Sequence, residues 1–464
     1  MFKLKQHNTS VRTEFVAGLT TFMAMAYILM VNAGMFGDLG EGYYNAVYIA
    51  TAISAVIGTV LIGLLANLPL AQASGMGLNA FFVYTVCFTL GFSYANALVL
   101  VLFDGLLFIL LTVTGLRRII FDAIPKAVKA AISAGIGLFI AFLGLQNAGL
   151  VVNSDSTLVD LHSFNVFFGK VTWPELLPII VTILAVFVIA ILSKRKVKGA
   201  VLWGILGGAV LYYILGLITI PEFYASSVQG NLSLDVFAPF KDFFKLSFGK
   251  VFTEGFDFSA YIAANGTGSL ILSILTTILA FCMVDMFDTL GTLYGACSCG
   301  NLLTEDGNVP NMDKAMLADS VATCVGAICG TSTVTTFVES SAGVAEGGRT
   351  GLTSMFAAAF FFIAMFLAPV AAMIPSCATA AALIYVGILM IGGVKNIEWE
   401  DPCQAVPAFL TMTMMPFTYN ISYGIAFGLI SYIVINAFTG NLKKIKLGTW
   451  IIGLLFLIMF FVSR

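Results

Sequence analysis

The sequence predicts an all-α, multi-pass membrane protein with about fourteen transmembrane segments in two inverted halves of seven. Three observations carry that expectation. Hydrophobic residues make up 59% of the 464 and charged residues only 10%, with a mean hydropathy of +1.00; a soluble domain carries about 25% charged residues. Apolar runs long enough to span a bilayer recur along the whole chain. A polar stretch, about 221–266, divides these runs into comparable halves, and the third run of each half is interrupted in the same manner.

Taken in order, the runs fall at roughly 15–34, 46–67, 70–90, 95–116, 124–148, 174–193 and 199–220. After the divider they resume at about 267–297, 315–330, 331–348, 351–374, 378–394, 403–419 and 421–439. A last run, 450–462, is short for a span and reads as an interfacial helix or a tilted, buried one. The 45 glycines suit close helix packing in lipid.

The two interruptions are the most informative places. LAQASGMGLN (70–79) is Gly/Ser-rich before AFFVYTVCFTL, and TSTVTTFVESS (331–341) is a Thr/Val-rich run, extended by preference, before a run that opens a short helix. Irregular backbone at membrane depth is tolerated only where it is buried or lines a cavity. Paired interruptions at corresponding positions point to an inverted-repeat transporter site. An odd number of spans per half makes the halves opposite in topology. Gly75 and Gly77 read as a point of close backbone approach.

Positive charge fits that topology. With the N-terminus inside, Arg117, Arg118, Lys126, Lys129, Lys194, Arg195, Lys196 and Lys198 lie on inner segments, as do Lys314, Arg349, Lys395, Lys443, Lys444 and Lys446. The start of the chain is polar and basic and its first apolar run is long enough to span, so the N-terminus is expected to be kept, on the cytoplasmic side of the plasma (inner) membrane.

Soluble chemistry is not written here. GxxxxGK[ST], GxSxG and HExxH do not occur. His7 and His162 lie outside the apolar runs, so histidine is not expected to relay protons in the membrane. The cysteines read as small membrane residues, and Cys297 with Cys299 is too weak a pattern for a metal site. No enzyme activity, metal or nucleic-acid partner is expected, and the net charge of −2 favours no particular partner.

Ionisable residues inside the runs are few and nearly all acids: Asp104, Asp285, Asp288, Asp319 and Glu339. Each costs about 2.5–3.5 kcal/mol at a helix centre on insertion scales, so a chain that keeps several gains something from them. Asp285 and Asp288 are spaced i, i+3 and share roughly one helix face. Such a pair titrates together and is able to take up a proton on one side of the membrane and release it on the other. Carboxylates also accept hydrogen bonds from the N–H edges of a planar heterocycle, and Asn79 supplies both a donor and an acceptor. Direct roles are expected for Asp285, Glu339 and Asn79. Each acid also has a structural alternative. For Asp104 it is a cap or a pair with a Thr or Asn, for Asp319 structural support or an N-cap, and for Asp288 orientation of its neighbour or a cap across the site. For Asn79 it is the N-cap of the following half-helix. Phe81, Phe82, Tyr84 and Phe337 read chiefly as core or lipid-facing aromatics, with one or two free to stack on a flat ligand.

Four blocks, NTSVRTEFVAGLTTFMAMAYILMVN (8–32), SGMGLNAFF (74–82), VDMFDTLGTL (284–293) and GTSTVTTFVESSAGVAEGGRTG (330–351), resemble the azaguanine-resistance-type purine permeases of the nucleobase–cation symporter-2 family. The likeness runs from about residue 8 to 440. It implies short strands in the third and tenth segments, with substrate bound between them and the eighth. It also implies a core domain at 14–118 and 267–374, a gate domain at 119–220 and 375–464, and a connecting segment at 221–266. By motif match, Asp285 falls on the eighth-segment acid that contacts the base, Glu339 on the tenth-segment acid, and Asn79 and Asp288 on positions used for transport. Asp104 stands where Glu is more usual in this branch, which keeps the acid but shortens it.

The function expected is therefore import of a purine nucleobase, guanine/hypoxanthine or adenine, driven by protons. Asp288, Asp104 and Asp319 are candidates for proton coupling or site support. No cofactor is expected beyond the coupling ion, a proton or alternatively sodium. A homodimer is plausible from the fold class alone. Competing readings are a pyrimidine or xanthine symporter, an anion transporter or channel on the same fold, and a membrane enzyme or scaffold. The anion reading calls for positive dipole ends or a basic residue at the breaks, where this chain places Glu339.

Overall fold

The computed structural model describes residues 2–115, 124–166, 171–221, 223, 235–300, 302–304 and 308–462. Arg117, Arg118, Glu222, the expected 118/119 domain boundary and the side chains of Cys299 and Lys444 lie outside the described residues. The first half runs α1 (Val11–Gly37, broken at Ala26), α2 (Tyr43–Leu65), β1 (Gln72–Ser74), α3 (Met76–Thr89), α4 (Tyr94–Thr114), α5 (Lys126–Asn147), a hairpin of β2 (Val151–Ser154) and β3 (Leu158–Leu161), α6 (Trp173–Lys194) and α7 (Ala200–Thr219). The second runs α8 (Thr267–Cys299), α9 (Met312–Cys329), β4 (Val334–Thr336), α10 (Ser340–Ala345), α11 (Gly351–Ala371), α12 (Ser376–Met390), α13 (Pro402–Thr418), α14 (Ile421–Phe438) and α15 (Leu447–Val462). Nine of these helices, among the described residues, are long and apolar enough to cross a membrane. The segments α1–α7 and α8–α14 are the two halves, each with a strand and a helix in place of its third span.

Local chemistry starts these helices where the sequence places them. Ser10 accepts from the Thr13 amide at 3.2 Å, and Ser93 with Asn96 forms a reciprocal cap at the start of α4. Thr172 and Glu175 do the same for α6, with Pro174 in its first turn. Asp401 caps α13 ahead of Pro402. Each satisfies backbone donors that a helix N-terminus leaves open.

Packing mixes the halves. In one bundle α1, α2 and α4 pack against α9 and α11; in the other α5 and α6 pack against α12, and α5 against α13. Gly137 and Gly387 face each other where α5 crosses α12, and a Cβ at either would stand within 2.7 Å of the other's carbonyl oxygen. The bare backbone there lets the helices approach as small residues do in lipid. The hairpin at 151–161 was not foreseen. The connecting segment contains short helices at Ala238–Asp242, Lys250–Thr253 and Ser259–Asn265. The final run is packed against the rest of the chain: α15 lies on α14 and α8, burying Ile452 and Phe456, with Phe460 against Tyr423 and Phe427.

Candidate functional site

The two interruptions meet. β1 and β4 pair antiparallel, with Gln72 opposite Thr336, Ala73 opposite Thr335 and Ser74 opposite Val334. The Gly75 amide donates to Thr333 O and the Phe337 amide to Ala71 O, both at 3.1 Å, so the pairing extends beyond the strands. All six strand residues are buried. Backbone groups with no lipid-compatible partner of their own thus satisfy each other across the two halves.

The glycines behave as the sequence suggests. A Cβ on Gly77 would stand 2.4 Å from Ile136 Cγ2 of α5, and one on Gly75 would stand 2.9 Å from Thr335 Cγ2. α3 therefore abuts the second bundle directly. The same hypothetical Cβ of Gly75 lies 4.0 Å from Asp288 Oδ2, which places that carboxylate beside the β1–α3 junction.

Glu339 sits three residues past β4, at the N-cap position of α10, and is half-buried. Tyr27, fully buried next to the break in α1, donates its hydroxyl to Glu339 Oε1 at 2.6 Å. Asp288 is also half-buried and lies within electrostatic reach of Glu339. These two acids have accessible surface, whereas Asp104, Asp285, Asp319 and Asn79 have none. The expectation that Asp285 and Asp288 share a face holds only in part. Asp285 turns inward toward α9, where Thr323 donates to its Oδ2 at 3.3 Å.

Asn79 lies inside α3, not at its N-cap, which is Gly75. The capping alternative is therefore corrected. Its amide instead ties the two interruptions: Nδ2 donates to Ser74 O at 3.3 Å, and Ser332 Oγ donates to Oδ1. Next to it, Ser74 Oγ and Thr331 Oγ1 are 2.7 Å apart, and Asn32 of α1 donates to both Thr331 and Thr51.

Asp319 is also no N-cap, since Asn311 precedes α9. It is support, and heavily used: Oδ1 accepts from Gln72 Nε2 at 3.0 Å and the Thr336 amide at 3.1 Å, and Oδ2 accepts from Thr289 at 2.7 Å. Asp104 departs from the alternative given to it, for among the described residues it caps no half-helix and pairs with no Thr or Asn; the side chain it meets is the Cys282 thiol of α8. Asp288 caps nothing across the site among the described hydrogen bonds. Phe81, Phe82 and Phe337 are core.

Sequence reasoning missed Tyr27, Gln72 and Glu14. Glu14 is fully buried in the first turn of α1. It accepts from the amides of Arg349 and Thr353 and from the Thr353 hydroxyl at 2.6 Å, holding the start of α11. Its partners lie more than 300 residues away in sequence, and no local signal announces them.

A cavity of about 210 Å³ opens at the far end of α1, lined among others by Val31, Gly34 and Asp38, Asn147 at the end of α5, and Ser376 and Thr379 of α12. Tyr27, Val31, Gly34 and Asp38 follow one helical stripe, so the cavity and Glu339 lie along the same face of α1. Tyr84 donates to Asp38 Oδ2 at 2.7 Å; burial pushes the Asp38 carboxyl up from its ordinary value and the Tyr84 hydrogen bond opposes that shift. The two bundles touch at this end, where Thr85 donates to Tyr419 O at 2.6 Å. Elsewhere Lys198 and Glu346 form an ion pair at 2.6 Å between the α6–α7 connection and the residue after α10. Among the described residues no cluster of three or more His, Cys, Asp or Glu has metal-binding geometry.

Residues 12–427 match the Permease family. The chain belongs to that family. It is 38% identical to the guanine/hypoxanthine permease PbuO of Bacillus subtilis (strain 168), covering 100% of both chains. It is 37% identical to the adenine permease AdeP of Escherichia coli (strain K12), covering 99% of this chain and 94% of that one. Among solved structures it resembles the transmembrane domain of a cyanobacterial bicarbonate transporter, BicA, with a TM-score of 0.63 and 14% identity over 89% of this chain and 97% of that one. That likeness is one of fold, the two-repeat core-and-gate transporter architecture. This permease is thus a multi-pass membrane protein whose two repeats meet at a strand pair flanked by carboxylates of the neighbouring helices.

Proposed function

We propose that this permease is a secondary active importer of purine nucleobases, coupled to protons. The observation that carries the reading is the acid pair at the meeting of the repeats: Glu339 and Asp288, both partly accessible, beside the paired strands. A purine presents N–H donors on a flat edge, and carboxylates are the acceptors that bind such an edge most strongly. Relatives named as adenine and guanine/hypoxanthine permeases support the substrate class. Asp285 and Asn79 complete the proposed site, the first from behind Asp288 and the second by fixing the strand pair. The choice among purines depends on one or two hydrogen bonds at the ring's 2- and 6-positions.

In this reading a core domain, 14–118 with 267–374, carries the strands and moves against a gate domain, 119–220 with 375–464. The 221–266 segment connects the halves outside the membrane. The N-terminus faces the cytoplasm, the protein sits in the plasma membrane, and a homodimer is consistent with the fold. Carboxylates without basic partners supply the proton site, and oxygen ligands would also serve sodium. Coupling requires that proton and purine each bind better with the other present. The anion reading suggested by the BicA-like fold has against it an acid, Glu339, at the tenth-segment helix start.

The test is uptake of labelled hypoxanthine and adenine by cells lacking their own nucleobase permeases, with and without a proton uncoupler. Uptake that collapses with the uncoupler and yields to unlabelled purines, not uracil, is the expected result. Uptake of neither purine above empty-vector cells, with the protein present in the membrane, contradicts the substrate. Uptake driven equally well by a sodium gradient alone contradicts the ion.

A further inference from the structure

The connecting segment carries a surface that does not suit a linker in water. Five of its phenylalanines, Phe237, Phe244, Phe248, Phe252 and Phe256, are between 47% and 70% exposed. The last four fall every fourth residue, and so do their buried neighbours Phe243, Ser247, Val251 and Gly255. The segment therefore has two apolar edges side by side, one turned into the protein and one turned away from it. Contiguous exposed apolar surface of this kind marks a place where something else docks.

The buried edge is bonded to the body of the protein. Tyr94 of α4 donates to Ser247 Oγ at 3.0 Å, and Asn96 donates to the carbonyls of Gly255 and Asp257 at 2.8 and 2.9 Å. The Gly249 amide donates to Ile328 O of α9 at 2.9 Å, and Asn45 of α2 donates to Asp242 Oδ2 at 2.9 Å. A Cβ on Gly255 would stand 2.5 Å from Val99 Cγ2, so the segment lies directly on α4. Among the described residues, every hydrogen bond that ties 235–258 to a span goes to α2, α4 or α9. All three helices fall in the proposed core domain.

The aromatic surface meets lipid-facing residues of the spans at both its ends. Phe256 packs on Phe103 of α4 with ring centroids 6.3 Å apart, and Phe240 packs on Phe366 of α11 at 5.7 Å. Phe103 and Phe366 are 44% and 42% exposed on helices long and apolar enough to cross a membrane. The aromatics of the segment thus continue the surface that the spans give to lipid. Lys241 and Lys245, one turn apart, are exposed beside them. Lysine stems lie along apolar surface while the ammonium groups stay with water and phosphate, as at a membrane boundary.

We propose that residues 237–256 lie flat in the headgroup boundary of the bilayer, as an aromatic collar on the core domain whose partner is lipid. The lipid contact stands apart from the substrate and the coupling ion; assigning the collar to the core rests on the domain division proposed above. Bonded to α2, α4 and α9, the collar travels with them. Displacement of the core along the membrane normal then moves these aromatics through the interface, which holds the core to a set depth.

The test is Phe244→Trp and, separately, Phe252→Trp, in the full chain reconstituted into vesicles of phosphatidylcholine and phosphatidylglycerol. Both positions are more than half exposed, so the larger ring has room. Acyl chains carry bromine near the headgroup, near the chain end or not at all, and acrylamide serves as the quencher in water. Emission of the unsubstituted chain, which has four tryptophans of its own, is subtracted. The apolar face of an interfacial helix lies about 5–10 Å into the headgroup boundary, so the shallow bromine is expected to quench the added emission at least about twofold more strongly than the deep one, with little effect of acrylamide. Quenching by acrylamide and not by lipid overturns the collar and places the segment in water. Stronger quenching by the deep bromine places it among the acyl chains and overturns the surface position. Quenching of both variants by none of the three marks burial by protein, a second copy included, and overturns it as well.

Discussion

The third and tenth segments share one design, a three-residue strand leading into a helix, but they are furnished differently. At the β1–α3 break the chain places Gly75 at the helix start and Asn79 one turn inside, its amide spent on Ser74 and Ser332. At the β4–α10 break it places Glu339 at the helix start, half-buried, with one oxygen held by Tyr27 and surface left over. The first break fixes the backbone and the second presents charge. An inverted repeat supplies two equivalent positions, and in this chain one is tied up in backbone support while the other leaves a carboxylate partly accessible.

The strongest way to break that division is to remove what holds both breaks together. Asp319→Ala strips the acceptor from Gln72 of β1 and Thr336 of β4. With several buried donors left open at about 1–3 kcal/mol each, most of the protein should be lost, read as a collapsed thermal midpoint in detergent. Glu339→Gln comes next and leaves the scaffold intact. Loss of a charge-assisted hydrogen bond, about 1.5–3 kcal/mol, should lower purine uptake roughly 10- to 150-fold with an unchanged thermal midpoint. Asn79→Ala should show the opposite balance: a drop in uptake of about tenfold accompanied by a lowered midpoint, since a strut between the strands is gone. The smallest effect is expected for Tyr27→Phe, which removes one neutral donor from Glu339, worth about 1 kcal/mol, and should raise KM a few-fold with little change in stability. A midpoint that moves with Glu339→Gln and stays fixed with Asn79→Ala would reverse the assignment of the two breaks.

Much of this was legible in the sequence because its signals are short-range. The apolar runs mark the spans, and the paired interruptions stand out against otherwise continuous apolar runs. Glu339 was visible because an acid in a Thr/Val-rich run at membrane depth is costly and stands out. What stayed hidden depends on partners distant in sequence. Tyr27 looks like any aromatic in a span until it meets Glu339, and Glu14 looks like an acid placed for its own helix dipole until it caps α11. Helical spacing put Asp285 and Asp288 on one face, but α9 and the strands decided which turns inward. The α15 run was too short to assign by length, and only its contacts with α14 and α8 place it.

The most direct measurement is binding of labelled hypoxanthine and adenine to the purified permease, wild type against Glu339→Gln and Asn79→Ala, with uracil as competitor. The account predicts that the wild type binds a purine that uracil does not displace. It also predicts that Glu339→Gln loses at least about tenfold in affinity while keeping the wild-type melting temperature. Wild-type affinity in Glu339→Gln would contradict the claim that the tenth-segment charge carries recognition.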